Sequence, residues 1–409
     1  MDVVHGKCAG IDVHAKFVAV CGRVARQGKV VHEEARFATT TAELLALKGW
    51  LEARNITHVV MEATGVYWKP VWHLLEGPTL SLTLANAQAV RNMPGRKSDS
   101  SDARWLADLL AHGLVQASFV PPAPIRELRD LTRSRQQLSR QHVQHGNRIG
   151  KVLEDANIKL GNVVSDLLGV NSRRILEAMI AGETDPGRLA KLADRRLKAT
   201  REELMAALDG RFTRHHAFLL RRHLATIDHL AGEIAAFDRE VDALLAPFRE
   251  LVTELRMIPG VKDRAIRGII AEIGLDMSQF PTAGHLLSWA RVVPRMDETG
   301  GRTRSRQIKK GGAWLKPLLV QCAYAAARTK NTYLSAQFAS ISARRGAKKA
   351  AIAVAASILT AIYHMIRDRV PYRPPVKKPV DDKAKAQRAA RLAADLRSLG
   401  YTVDVRRAA

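Results

Sequence analysis

The chain has 409 residues, 46% of them hydrophobic, which is enough apolar material for two or three folded domains and excludes global disorder. Lys and Arg number 65 against 40 Asp and Glu, a formal net charge of +25. Such a surface favours phosphate polyanions, and the spread of basic residues along the whole chain argues against a membrane-surface protein.

The first segment alternates strand and helix signals. Lys7 to Val24 reads as β structure broken around His14 to Lys16, and Lys29 to Ala38 as a further extended run. Leu44, Leu45, Leu47 and Leu51 give Thr41 to Arg54 helical spacing. His58 to Glu62 is a short buried strand ending in an acid. Tyr67 to Glu76 then reads as helix, Leu80 to Leu84 as strand and Ser98 to His112 as helix. This order predicts an α/β domain with a mixed sheet.

Pro121, Pro122 and Pro124 punctuate the chain before an arginine-rich helix from Ile125 to Ile158. From Arg214 to Leu251, Leu220, Ile227, Ile234, Val241 and Phe248 recur every seven residues, with His223, Leu230, Phe237, Leu244 and Leu251 as a second series. Two such series describe a coiled-coil seam, whose partner lies in the same chain or in another subunit. Pro247 is expected to kink or fray its end. Arg256 to Val261 resembles the turn of a helix-hairpin-helix module, or a plain tight turn. Helix resumes at Gly312 to Thr329 and at Ala347 to Arg367. The second of these contains Ser357, Thr360, Tyr363 and His364 and reads as a buried helix rather than a membrane span. The tail after Val370, rich in proline and charge, reads as a mobile appendage. Cys8, Cys21 and Cys322 form no ligand pattern and suit a reducing compartment. No secretion signal is read at the N-terminus, so the expected location is cytoplasmic and nucleoid-associated.

Four acids stand where metal-assisted phosphoryl chemistry would use them. Asp12 lies inside the first strand, Glu62 ends the HVVME strand, and Asp99 and Asp102 share one face at the start of a helix. In a sheet of the RNase H type, these strands lie side by side with a helix across their ends. The carboxylates would then meet on two divalent ions, and hard oxygen donors suit Mg²⁺ or Mn²⁺. Three of the four acids also have a plainer reading: a hydrogen-bonded buried acid for Asp12, a helix cap for Asp99, a first-turn acid for Asp102.

The blocks GIDVHAKFVAV, VVMEATGVYW and GRKSDSSDARWLADLLAHGLV resemble the signatures of the DEDD transposases of bacterial insertion sequences, the IS one-ten family. LRMIPGV, FPTAGHLLSWARVVP and KKGGAWLKPLLVQCAYAAARTK resemble that family's C-terminal domain. The likeness implies a RuvC-like metal-binding catalytic domain (1–120), a helical coiled-coil region (121–252) and a mainly helical C-terminal transposase domain (253–370), and it leaves aside a basic charged tail (371–409). It implies that Asp12, Glu62, Asp99 and Asp102 bind the metal. It also implies a hydroxyl nucleophile, a non-coding guide RNA of the element as partner beside DNA, and a homo-oligomer, dimer or tetramer.

One departure concerns the nucleophile. The family's Glu-Ser motif reads Asp297-Glu298-Thr299-Gly300-Gly301 here, which places Thr299 at the attacking position, with Ser305 as the alternative hydroxyl. Threonine is stiffer and more crowded than serine at that task. Arg291, Arg295, Arg302, Arg304, Arg306, Lys309 and Lys310 surround this loop, and Arg126, Arg129 and Arg133 lie on the basic helix. All are candidate nucleic-acid contacts, by phosphorane stabilisation or by grip on the backbone. His142, His145, His215 and His216 are assigned no site role. The function expected is a transposase or recombinase that cleaves and exchanges DNA strands. The rivals are a RuvC-like, metal-dependent endonuclease of branched DNA and a catalytically impaired nucleic-acid-binding protein.

Overall fold

The computed structural model describes the chain except residues 1, 27–28, 63–64, 88–89, 91–92, 94–101, 195–196, 295–296, 300–301, 306, 309–310, 376–381 and 406–409. Side chains are further left out at 25–26, 297–299, 302–304, 382–385 and 388. The described chain forms two compact units, Met1–Pro121 and Pro122–Ala409.

Unit 1 is built on a five-stranded sheet. Strands β1 (Lys7–Val13), β2 (Phe17–Arg26) and β3 (Lys29–Ala38) form an antiparallel meander, and β4 (His58–Glu62) and β5 (Ser81–Ala85) add in parallel, giving the order β3-β2-β1-β4-β5. Helices α1 (Thr41–Ala53) and α2 (Trp68–Leu75) supply the crossovers and pack on one face. Alternation along the strands decides which residues they meet. Ala9, Ile11 and Val13 of β1 join Val59 and Met61 of β4 against Leu44, Leu47, Leu51 and Leu75. Cys8 and Val60 point the other way, onto Leu106 and Leu110 of α3 (Asp102–Ala111). The mixed sheet and its helices follow the predicted order.

Gly10 explains how closely α3 approaches. A Cβ there would collide with the carbonyl oxygen of Ala103 and lie 2.6 Å from the Ala107 nitrogen. A bare backbone on β1 beneath two alanines lets the helix axis sit low on the sheet.

Unit 2 is helical. Helix α4 (Ala123–Asp155) begins after Pro122 and carries Pro124 in its first turn, where proline costs no helical hydrogen bond. It pairs with α5 (Arg214–Leu245), which ends just before Pro247. Arg135 meets Asp238, His145 meets His223, and Asp155 meets His216, so the two run antiparallel. The heptad residues Leu220, Ile227, Leu230 and Val241 are buried, and the long helix facing their seam belongs to the same chain. Between the two helices the chain makes an excursion with its own core, in which Ile175, Leu176, Leu189, Leu204 and Leu208 close over Ile149 and Leu153.

Beyond Leu255, α6 (Asp263–Ile273), α7 (Leu315–Arg328), α8 (Tyr333–Arg345) and α9 (Ala347–Asp368) follow. Helix α9 is long and apolar enough for a membrane span by length and composition. Here its face from Ala350 through Val354, Ile358 and Ile362 is buried, and Tyr363 donates to the Phe280 carbonyl at 2.8 Å. Two elements depart from expectation. Helix α8 fills the stretch between the two predicted C-terminal helices. The tail contains α10 (Asp382–Ser398), rich in Ala, Lys, Arg and Leu, all strong helix formers.

Candidate active site

β1 and β4 are parallel neighbours, with Ile11 opposite Met61. One residue further on, at the carboxyl ends of both strands, come Asp12 and Glu62. The pleat turns them toward the face that Gly10 and Val60 share, the face covered by α3. Helix α3 runs against β1: the Cys8 thiol donates to the Ala107 carbonyl at 3.5 Å, while Gly10 lies beneath Ala103. Continuing in that direction, the first residue of α3 is Asp102, at the end of the helix nearer Asp12. Two strand-borne acids and the acid-bearing N-terminus of a helix are therefore brought to one edge of one face. The positive end of the helix dipole favours anions there. Asp99 lies outside the described residues.

The Asp12 carboxylate, 23% exposed, accepts a hydrogen bond from Nε2 of His14 at 3.0 Å. The His14 ring stacks on Phe17 with centroids 4.4 Å apart, and the Arg36 guanidinium lies 3.4 Å from the same phenyl centroid. His14 sits in the tight β1–β2 turn, where its backbone N–H bonds the Phe17 carbonyl at 2.9 Å. Its link to Asp12 was missed in the sequence, although a histidine two residues after a strand acid falls on the same side of the chain. Among the described residues, no three His, Cys, Asp or Glu side chains already stand close enough to hold one metal ion together. The acids present are hard oxygen donors on a shared face, a donor set that fits Mg²⁺ or Mn²⁺ better than a thiophilic metal. Burial pushes Cys8 up to about 11 and Cys21 up to about 12, so neither offers a thiolate at neutral pH.

The far side of α3 is tied down separately. Asp108 accepts from Nε of buried Arg23 at 3.1 Å and from Nε2 of His32 at 3.0 Å. Arg23 belongs to β2 and His32 to β3, so this cluster fixes α3 across the antiparallel half of the sheet. Sequence reading missed it, because an arginine in a strand signals nothing until its partner 85 residues away is known.

In unit 2, Thr299 ends strand β6 (Asp297–Thr299), paired with β7 (Arg302–Ser305). Thr299 opposite Arg302 is the pair nearest the turn. The sequence did not announce this hairpin. Ser305 stands at its other end, its hydroxyl oxygen accepting from the Gln307 N–H at 3.2 Å. Arg291 has a left-handed backbone (φ 59°), and its guanidinium lies against Gly311, where no Cβ would fit. The strand backbones of Arg302 and Arg304 are described but not their side chains, and Arg295, Arg306, Lys309 and Lys310 lie outside the described residues.

Two arginines of the basic helix have partners within unit 2. Arg129 donates to the carbonyls of Ala271 (3.0 Å) and Glu272 (2.7 Å) at the end of α6. Arg133 grips both oxygens of Glu272 at 2.8 Å. Burial pushes the Arg129 guanidinium down to about 10, still charged at neutral pH. Arg126 lies one turn earlier, half-buried. In the hairpin-like segment, Gly260 (φ 82°) rests on the backbone of Cys322 and Ala326 in α7. Its close approach is to a helix of its own unit.

Residues 9–158 match a DEDD-type transposase family, and residues 252–339 match the family described as transposase IS116/IS110/IS902. The two matches take in more than half of the chain, in the expected order. The chain belongs to this transposase family. Membership makes it a DNA-recombining enzyme of insertion-sequence type, in a family that commonly uses a divalent metal. A similar curated protein is the probable family 20 transposase of Pseudomonas aeruginosa. It is 28% identical over 302 residues, covering 72% of this chain and 80% of that protein. The first match takes in Asp12, Glu62, Asp99 and Asp102, and the second takes in Thr299 and Ser305.

Proposed function

We propose that the chain cleaves and exchanges DNA strands, with unit 1 as an RNase H-like, RuvC-like catalytic domain and the hydroxyl of Thr299 as nucleophile. The observation that carries this reading is the placement of Asp12 and Glu62 side by side at strand ends, on the face where α3 presents Asp102. Asp12, Glu62, Asp102 and Asp99 would hold Mg²⁺ or Mn²⁺, which when bound supplies charge neutralisation at a DNA phosphate. His14 orients the Asp12 carboxylate through its Nε2 hydrogen bond. Asp108, held by Arg23 and His32, keeps α3 and therefore Asp102 in register with the strands.

In the exchange step, the Thr299 oxygen forms a bond to phosphorus as the bond to a deoxyribose oxygen breaks. The hydroxyl proton ends on the departing strand, leaving a free DNA hydroxyl and a protein phosphoester. Attack by the hydroxyl of another strand reverses the step, so the number of phosphoester bonds is conserved. Ser305 is the reserve hydroxyl. The basic residues around the hairpin, from Arg291 to Lys310, would face the phosphate charge. The reading includes a coiled-coil division of unit 2 at 121–252, a C-terminal domain at 253–370 and a tail at 371–409. It also includes a non-coding guide RNA of the element, a homo-oligomer of two or four copies and a cytoplasmic, nucleoid-associated location.

Plasmid recombination with the element's flanking DNA, followed on a denaturing gel, tests the assignment. Asp12→Asn is expected to abolish cleavage while the melting temperature stays within a few degrees of the parent. Thr299→Ala is expected to remove the protein–DNA adduct, and Thr299→Ser to keep it. A normal adduct in Thr299→Ala that is lost in Ser305→Ala would move the nucleophile. Cleavage without any adduct would make water the nucleophile and the chain an endonuclease.

A further inference from the structure

Unit 2 contains a narrow recess where α4, α6 and α7 meet, walled by Arg133, Arg135, Arg264, Arg267, Glu272 and Trp314. Its cations differ in what they touch. Arg133 is matched by Glu272. Arg135 takes both oxygens of Asp238 at 2.8 and 2.9 Å, and Arg267 reaches Asp238 and Asp242 at 2.6 Å each. Asp238 and Glu272 are engaged through both oxygens, and Asp242 through one.

Arg264 has no such partner. Among the described residues it makes no hydrogen bond or ion pair. Arg135 acts against its charge, and only Asp238, already held by two other arginines, acts in its favour. Partial burial in the recess wall also disfavours the charge. Its position adds to the cost, because Arg264 is the second residue of α6, where the helix dipole repels a cation. Asp238, shared with two other arginines, is the one favourable charge named against these influences. An anion in the recess would offset the repulsion from Arg135 and from the helix dipole and would give the guanidinium a hydrogen-bond partner. At the rim, the Trp314 ring has the guanidinium carbons of Arg133 and Arg140 at 5.3 and 5.1 Å from its centroid, and Arg140 is exposed.

We propose that this recess binds a phosphate group of a nucleic-acid strand, with Arg264 as its principal ligand and Arg140 and Trp314 at its mouth. The room inside, about 40 Å³, suits a small anionic group rather than an intercalated base. The site lies outside the carboxylate edge and the β6–β7 hairpin, so it concerns strand holding rather than strand cutting.

The test uses the full chain without added metal, so that its result is independent of the carboxylate assignment. Binding of a single-stranded oligonucleotide, made once as DNA and once as RNA, is followed against salt for the parent, Arg264→Gln and Arg264→Lys. Arg264→Gln is expected to weaken binding about 3- to 10-fold and to flatten the log–log salt slope by about 0.7, one phosphate contact on a single strand. Arg264→Lys keeps the slope. Arg264→Gln is also expected to melt no lower than the parent, since it relieves repulsion. The strand type that shows the loss names the source of the phosphate. An unchanged affinity and slope with both oligonucleotides would overturn the proposal. So would a melting temperature lowered as far as that of Arg133→Gln, which would make Arg264 a structural residue.

Discussion

In unit 1 the candidate acids Asp12 and Glu62 stand at strand ends, whereas in unit 2 Asp238 and Glu272 lie within helical packing, each gripped by two donors of one arginine. Unit 1 has apolar layers on both faces of a sheet, with ionic ties such as those of Asp108 and Glu33 added to them. Unit 2 spends much of its positive charge internally, joining α4 to α5 and α6. The comparison teaches that a net charge of +25 is not a surface inventory. Part of it is cross-linking, and only the remainder is available to phosphates.

The largest effect should come from breaking that internal use. Glu272→Gln removes the counter-charge of two arginines, and removing one partner of a buried ion pair typically costs about 3–5 kcal/mol. Arg133 is 33% exposed, so the low end, about 3 kcal/mol, is expected in urea unfolding. A loss under about 1 kcal/mol would put unit 2 on the same footing as a surface network. Next comes Gly10→Ala, which forces a methyl group against the Ala103 carbonyl. Overpacking of this kind costs about 1–3 kcal/mol, and α3 must lift from β1. Reduced Mn²⁺ affinity alongside lower thermal stability would tie helix placement to the acids.

A smaller effect is expected at the helix surface. Arg173 reaches Glu177 and Asp228 at 2.6 Å, but both acids are more than half exposed. Arg173→Ala should cost less than about 1 kcal/mol by denaturant titration. The smallest is a pH effect at the α4–α5 pair. Burial first, then His145 and Arg148, lower the pKa of His223 below its ordinary 6.5. The fold therefore prefers the neutral ring. Its contribution is complete above the unfolded value and is lost as pH falls through the folded one. Melting temperature measured from about pH 8 to pH 5 should fall less steeply in His223→Gln than in the parent.

Much of unit 1 was legible because alternation and helical spacing are local properties. The strand acids Asp12 and Glu62 stood out as charges in apolar runs, and the fold sets them adjacent. The long helix carrying the heptads was legible too, but the helix it pairs with was not, since a repeat specifies a face and not what covers it. Arg129 and Arg133 read as candidate nucleic-acid contacts, and nothing local in the sequence signalled their partner Glu272, 139 residues beyond Arg133. The β6–β7 hairpin escaped notice because three- and four-residue strands carry too few positions for a period to register. The glycine turn at Gly260 read either as a helix-hairpin-helix turn or as a plain tight turn. Only the packing of α7 against it shows that its freedom serves an internal contact.

The antiparallel pairing of α4 and α5 has a consequence for chain architecture. Asp155 and His216, where the excursion leaves and returns, are joined by a 2.9 Å hydrogen bond, and a Cβ on Gly210 would lie 2.6 Å from the Ala156 carbonyl. The roughly sixty residues between them leave and return at one closed neck, and they pack back onto α4 and α5 through Ile149, Leu153, Leu220 and Leu224. Any graft spliced in at that neck would have to re-cover the apolar faces that the native block hides.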